Sequence, residues 1–154
     1  KPAAEDNFAI NEMDIINRGF DQLFGVIAIV GWIIGGFSLL VGGFGVANIM
    51  FVSVKERTSQ IGIQKSLGAK NYFVLLQFLF EAIFLSILGG IVGLLIVMTL
   101  ALVISSSTSF TMVLSLQNIL LGIFVSAFIG LLSGFIPAWS ASRLDPVEAM
   151  RSSF

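Results

Sequence analysis

Residues 52–70 read VSVKERTSQIGIQKSLGAK and lie between two long apolar runs. The stretch carries Lys55, Arg57, Lys65 and Lys70, four of the chain's eight Lys and Arg residues. Basic residues in short inter-span loops mark the cytoplasmic side of a membrane protein. The stretch is also patterned like a helix. Ile63 and Leu67 stand four apart on one face with Gln60 nearby, and Ile61 widens the apolar strip. Ser53 and Glu56 have capping-box spacing, and Thr58 is a second N-cap candidate. Gly68 is a C′ stop, and Asn71 can cap the next helix. The pattern predicts a short helix over about 57–67. Such a helix either rests on lipid headgroups or docks on a soluble partner.

The flanking composition calls for lipid. The 154 residues are 56% hydrophobic and 11% charged, with mean hydropathy +1.01, where soluble domains carry about 25% charged residues. The net charge of −1 says little, because charge is segregated along the chain. Absence of Cys excludes disulfides and thiolate chemistry, and absence of His removes the imidazole ligand or base. A span needs about 20 apolar residues. Segments 24–51, 72–104 and 116–139 qualify, and Glu81 is the one charge within them. The first two exceed that need, so tilt or protrusion is expected. The runs are continuous rather than alternating, which argues against a barrel. The expected fold class is therefore an all-α membrane protein with three transmembrane helices and a short cytoplasmic helix. Lys1 in first place and only three spans point to a segment of a longer protein.

Orientation follows from the flanks. Arg143 and Arg151 add to the basic loop, whereas residues 105–115 carry no charge and the N-terminal segment has only Lys1 and Arg18 among several acids. The N-terminus is thus expected outside, the first loop inside, the second loop outside and the tail 140–154 inside.

Three glycine pairs have small-xxx-small spacing: Gly31 and Gly35, Gly89 and Gly93, Gly130 and Gly134. They allow close helix approach in lipid, either within the chain or at a dimer face. The Gly42–Gly45 cluster lacks the Lys-Ser/Thr of a nucleotide loop. Glu81 lies roughly 15 Å along a helix from Asn71. Its readings are an inter-helix contact or switch on one side and a snorkelling acid on the other. A proton relay lacks a second intramembrane group.

The order GGFGVANIMFVSVKERTSQIGIQKSLGAK, LLQFLFEAIFLSILGGIVG and PAWSASRLDPVEAMR resembles the C-terminal permease region of MacB/FtsX-like ABC transporters, MacB-type branch. The resemblance covers nearly the whole chain. It implies a four-span permease of which this chain holds the last three spans, with residues 1–11 ending a large extracytoplasmic domain and 12–154 forming the membrane domain. It assigns the 57–67 helix and its flanks as the coupling helix, docked in a groove of an ABC ATPase. Ile61, Ile63 and Leu67 would fill an apolar pocket. Glu56, Arg57 and Lys65 would form the polar rim, with Gly62 and Gly68 in the same ATPase-coupling set. Glu81 matches the acid of the family's QFLxEA motif. Arg143, Asp145, Pro146 and Glu148 match its C-terminal motif, in which Asp145-Pro146 can start a short helix and Pro137 fits a helix end or kink.

The resemblance further implies a bacterial inner-membrane location and a force-transmitting role in export or extrusion of macrolides, peptides, lipids or lipoproteins. A second permease copy, an ATPase subunit or domain, a periplasmic adaptor and an outer-membrane channel are the implied partners, with no nucleic acid. No catalytic residue, cofactor or metal is expected in the chain, since ATP and Mg would sit in the partner or fused ATPase. An FtsX-like regulator of cell-wall hydrolases shares the mechanics. A passive membrane anchor and a proton-coupled carrier are the readings from other classes.

Overall fold

The computed structural model describes residues 5–107 and 114–151, with the side chains of 5–13, 107, 148, 150 and 151 left outside that description. Five helices appear among the described residues: α1 (Glu5–Glu56), α2 (Thr58–Ser66), α3 (Asn71–Ser107), α4 (Leu116–Ser142) and α5 (Pro146–Arg151). Three of them are long and apolar enough to cross a membrane, over Asp14–Glu56, Asn71–Ser106 and Leu116–Ser142. All three exceed the expected spans. Backbone hydrogen bonds closed within each helix explain why such apolar stretches adopt this form in lipid. Their side chains stay largely exposed in the isolated chain, Trp32, Phe44, Phe80 and Phe124 among them. The surface is apolar all round, as for a helix whose solvent is lipid.

The chain divides into two compact units, Lys1–Leu40 and Val41–Phe154. The first is the N-terminal part of α1. Of the expected extracytoplasmic segment 1–11, residues 1–4 lie outside the described residues and 5–11 are described only as helical backbone.

The second unit is built on an α3–α4 hairpin. Its seam is a pair of four-residue ladders of mostly small side chains. On α3 these are Val74, Phe78, Ala82, Ser86 and Gly90; on α4 they are Ser126, Gly130, Gly134, Ala138 and Ser142. A Cβ added at Gly134 would stand 2.3 Å from the Ala82 Cβ, and one at Gly130 would stand 2.9 Å from the Ala82 carbonyl oxygen. These two positions therefore need glycine for the backbones to approach. Gly31, Gly35, Gly89 and Gly93 face open space within the chain. Gly90 takes the α4-facing place instead, against Ser126, and Gly43 faces Ser133. The glycines that close this fold thus lie one residue from the expected motif on α3 and eight from Gly35 on α1. Helix rotation sets the choice: a residue one position along points about 100° away from its neighbour.

Pro137 does not end a helix. It is fully buried inside α4, which continues to Ser142. The tail is correspondingly shorter than expected. The core gathers at one end of the hairpin, where Met50 and Val54 of α1, Ile61 of α2, Val74, Phe78 and Ala82 of α3, and Ala138 and Ala141 of α4 meet. Val46, Leu79 and Leu144 pack against them.

Candidate functional site

The core end of the bundle is also where α2 sits. The α1 helix runs through Ser53 to Glu56, so the expected Ser53–Glu56 capping box does not open α2. The break is a single residue, Arg57, at φ −99° and ψ 11°, with no side-chain cap on α2. Thr58 turns backward instead. Its hydroxyl donates to the Val54 and Lys55 carbonyls at 3.0 and 2.9 Å, satisfying the last turn of α1. The far end of α2 closes as expected at Gly68, which has φ +99°. Gly68 N–H donates to the Lys65 carbonyl and Ala69 N–H to the Gln64 carbonyl, both at 3.0 Å. These are the paired bonds of a Schellman stop. Asn71 is the first residue of α3 rather than its cap, and Phe73 N–H donates to the Lys70 carbonyl.

With both ends fixed, α2 presents two unlike faces. Ile61 is 2% exposed and Gly62 is buried, both turned into the core. Ile63 and Leu67 are 50% and 84% exposed, and Gln60 shares their exposed face. Ile61 was expected to widen the outward apolar strip. It belongs instead to this chain's own interior, because it lies two positions from Ile63 and so falls on the other side of the helix. The outward apolar surface is narrower, with Ile63 and Leu67 at its centre.

Two charged residues of the stretch, Arg57 and Lys65, also bond within the chain. Arg57 Nη1 donates to Glu81 Oε2 at 3.3 Å, an ion pair with both side chains partly exposed. Of the readings open for Glu81, the structure therefore gives an inter-helix contact, joining the α1–α2 break to α3. Lys65 is half-buried, and its Nζ donates to the Leu144 carbonyl at 2.7 Å. Gln64 is half-buried beside it, and its Oε1 accepts no hydrogen bond among the described residues. Glu56 remains exposed and lines a shallow groove of about 450 Å³ on α1 with Asn48, Ile49, Val52 and Ser53.

The C-terminal motif folds as its residues suggest. Asp145 Oδ1 accepts from Val147 N–H at 2.9 Å and opens α5, with Pro146 in the first helical position. Arg143 lies 4.2 Å from the centroid of the Trp139 ring, one turn back on α4. The α5 helix packs on α2, and Ala149 is 2% exposed. The Glu148 side chain lies outside the described residues. Sequence reasoning missed three contacts here: the Thr58 back-bond, the Lys65–Leu144 bond and the Arg143–Trp139 stack. Only the last had a local signal, an Arg four residues after a Trp.

A matching family model, FtsX-like permease C-terminal, covers residues 32–146, from the α1 span through the basic 52–70 stretch to the start of α5. The chain belongs to this family. It is 42% identical over 147 residues to the uncharacterized ABC transporter permease YknZ of Bacillus subtilis, covering 96% of this chain and 37% of that protein. It is 38% identical over 151 residues to the macrolide export ATP-binding/permease protein MacB of Syntrophobacter fumaroxidans, covering 98% of this chain and 21% of that protein. A protein of the same name from Vibrio parahaemolyticus is 40% identical over 147 residues, covering 95% of this chain and 22% of its own length. The chain thus spans well under half the length of these relatives. Family membership and three apolar helices make it a multi-pass membrane protein.

Proposed function

We propose that this chain is the membrane portion of an ABC transporter permease that passes ATP-driven motion from a soluble ATPase through its spans. The observation that carries this is α2. It is a short helix locked to the core by Ile61, with Ile63 and Leu67 left outward. An apolar side chain 84% exposed on a helix between two membrane spans suits an apolar pocket in a partner. The ATPase is that partner, fused as the name of the MacB relatives states for them or separate. It supplies ATP and Mg²⁺ chemistry, while this chain supplies no catalytic group.

The remaining reading follows from family and charge. The permease resides in a bacterial inner membrane, with α2 and α5 cytoplasmic and the 105–115 loop outside. Two copies flank the ATPase dimer. These spans are the last three of four, and an extracytoplasmic domain before α1 receives the motion. The cargo is a macrolide, peptide, lipid or lipoprotein drawn from the outer side. An adaptor and outer-membrane channel complete the path in a MacB-type pump.

The test is co-purification of the full-length protein with its ATPase, wild type against Leu67→Glu. Leu67 is 84% exposed in this chain, so the substitution leaves its own folding within about 0.5 kcal/mol. In a docked complex the carboxylate is buried without a partner, at a cost of several kcal/mol. Release of the ATPase from a normally inserted permease is the expected result. Retention of the ATPase at the wild-type level sinks the coupling reading and leaves a headgroup-bound helix or a passive anchor.

A further inference from the structure

We infer that Lys65 is a positioning residue that locks the C-terminal helix α5 onto α2, so that both move as one body. Its functional consequence rests on the reading of α2 as the coupling helix; the lock itself does not.

Three observations converge on this. Lys65 Nζ crosses from α2 to the Leu144 carbonyl at 2.7 Å, over a separation of 79 residues. Leu144 lies in the turn between Ser142, the last residue of α4, and Pro146, the first of α5. A cation there also faces the negative end of the α4 dipole, which strengthens the bond. The acceptor residue is itself anchored, because the Leu144 side chain packs on the core cluster. Beyond it, α5 lies on α2 with Ala149 2% exposed.

The Lys65 backbone is held as firmly. Its carbonyl accepts the Gly68 N–H of the Schellman stop. The side chain therefore starts from a fixed point and ends on a fixed point. One of the three ammonium donors is thereby engaged inside the chain. Arg57 ties the α1–α2 break to α3, and Lys65 ties α2 to the end of α4. A push on α2 thus reaches all three spans, and the Lys65 bond is its polar link to the third, beside the core that Ile61 shares with Ala138 and Ala141.

These 154 residues contain no cysteine, so once any cysteine outside them is replaced, a direct test is open in the full-length protein in its membrane. A cysteine replacing Ala149 reports whether α5 is docked, and one replacing the fully buried Val74 reports the core. Each is reacted with a polar maleimide in wild-type, Lys65→Met and Lys65→Arg backgrounds. A hydrogen bond to a charged group shifts an opening equilibrium by about tenfold or more. The expected result is labelling of Ala149→Cys at least about tenfold faster with Lys65→Met, protection restored by Lys65→Arg, and Val74→Cys protected throughout. Unchanged labelling of Ala149→Cys overturns the lock. So does loss of the ATPase with α5 still protected, which makes Lys65 a docking contact. Exposure of Val74→Cys together with Ala149→Cys also overturns it, since Lys65 would then hold the core rather than α5. Failure of the coupling reading appears separately, as indifference of the complex to Leu67→Glu.

Discussion

Moving one methyl group across the α3–α4 seam tests the packing of the hairpin. In Gly134→Ala the new Cβ would stand 2.3 Å from the Ala82 Cβ. Apolar carbons pack best at about 3.5–4.0 Å, so the helices must part by roughly 1.2–1.7 Å at this level. The neighbouring levels, Gly130 against Ser86 and the core that holds Phe78 and Ala138, loosen as the gap opens. Overpacking of this kind costs about 1–3 kcal/mol, against which helix propensity returns up to about 1 kcal/mol for replacing a glycine. The net expectation is destabilisation by about 1–2 kcal/mol. The other atoms near the new Cβ, Ala82 Cα and Leu79 Cδ1, are at 3.8 Å and are ordinary contacts. Removing the Ala82 methyl should therefore relieve nearly all the strain. Thermal unfolding of the purified full-length protein in detergent is the assay, with Gly134→Ala, Ala82→Gly and the pair compared. Gly134→Ala lowers the midpoint, and the double variant recovers most of the loss beyond the sum of the singles. A Gly134→Ala protein as stable as wild type, or additive effects in the pair, refutes the close approach of these two residues.

Two further predictions concern the ends of α2. Gly68→Ala forces an L side chain into the left-handed region at φ +99°, costing about 1–2 kcal/mol and visible as a lower unfolding midpoint. Glu81 and Arg57 form a partly exposed pair at 3.3 Å. Arg57→Glu sets two carboxylates together and lowers stability by up to about 1 kcal/mol, the swap Arg57→Glu with Glu81→Arg recovers most of it, and added salt shrinks both differences. A swap no better than the single variant, measured by the same unfolding assay, removes the pair from the account.

Most of the architecture is legible in the residues because lipid leaves the backbone few options. Continuous apolar runs separated by a basic loop become three long helices and one short one. Gly68 and Asp145-Pro146 are legible for a related reason, since each answers a demand of its own backbone. The faces are harder. Ile61 and Ile63 are both isoleucines, and nothing in their chemistry says which one joins the core and which one meets the outside. The same holds for Gly89 and Gly90, adjacent and identical, of which only the second faces α4. Rotation about the helix axis decides these cases, and it is set by the whole seam rather than by any local pattern. Lys65 is the extreme example. A lysine in a basic loop looks like every other lysine there, and the atom it finds belongs to a residue 79 positions away.

That acceptor is a main-chain oxygen, which gives the Lys65 bond an unusual evolutionary signature. Any amino acid at position 144 supplies the same carbonyl, so drift there is limited only by the apolar packing of its side chain. Position 65 has no such latitude, because it needs a long cationic donor. Selection acting on the bond itself would therefore fall on one partner, and pairwise covariation would carry little trace of it. It would persist through divergence as a solitary base whose counterpart changes within what the core packing allows.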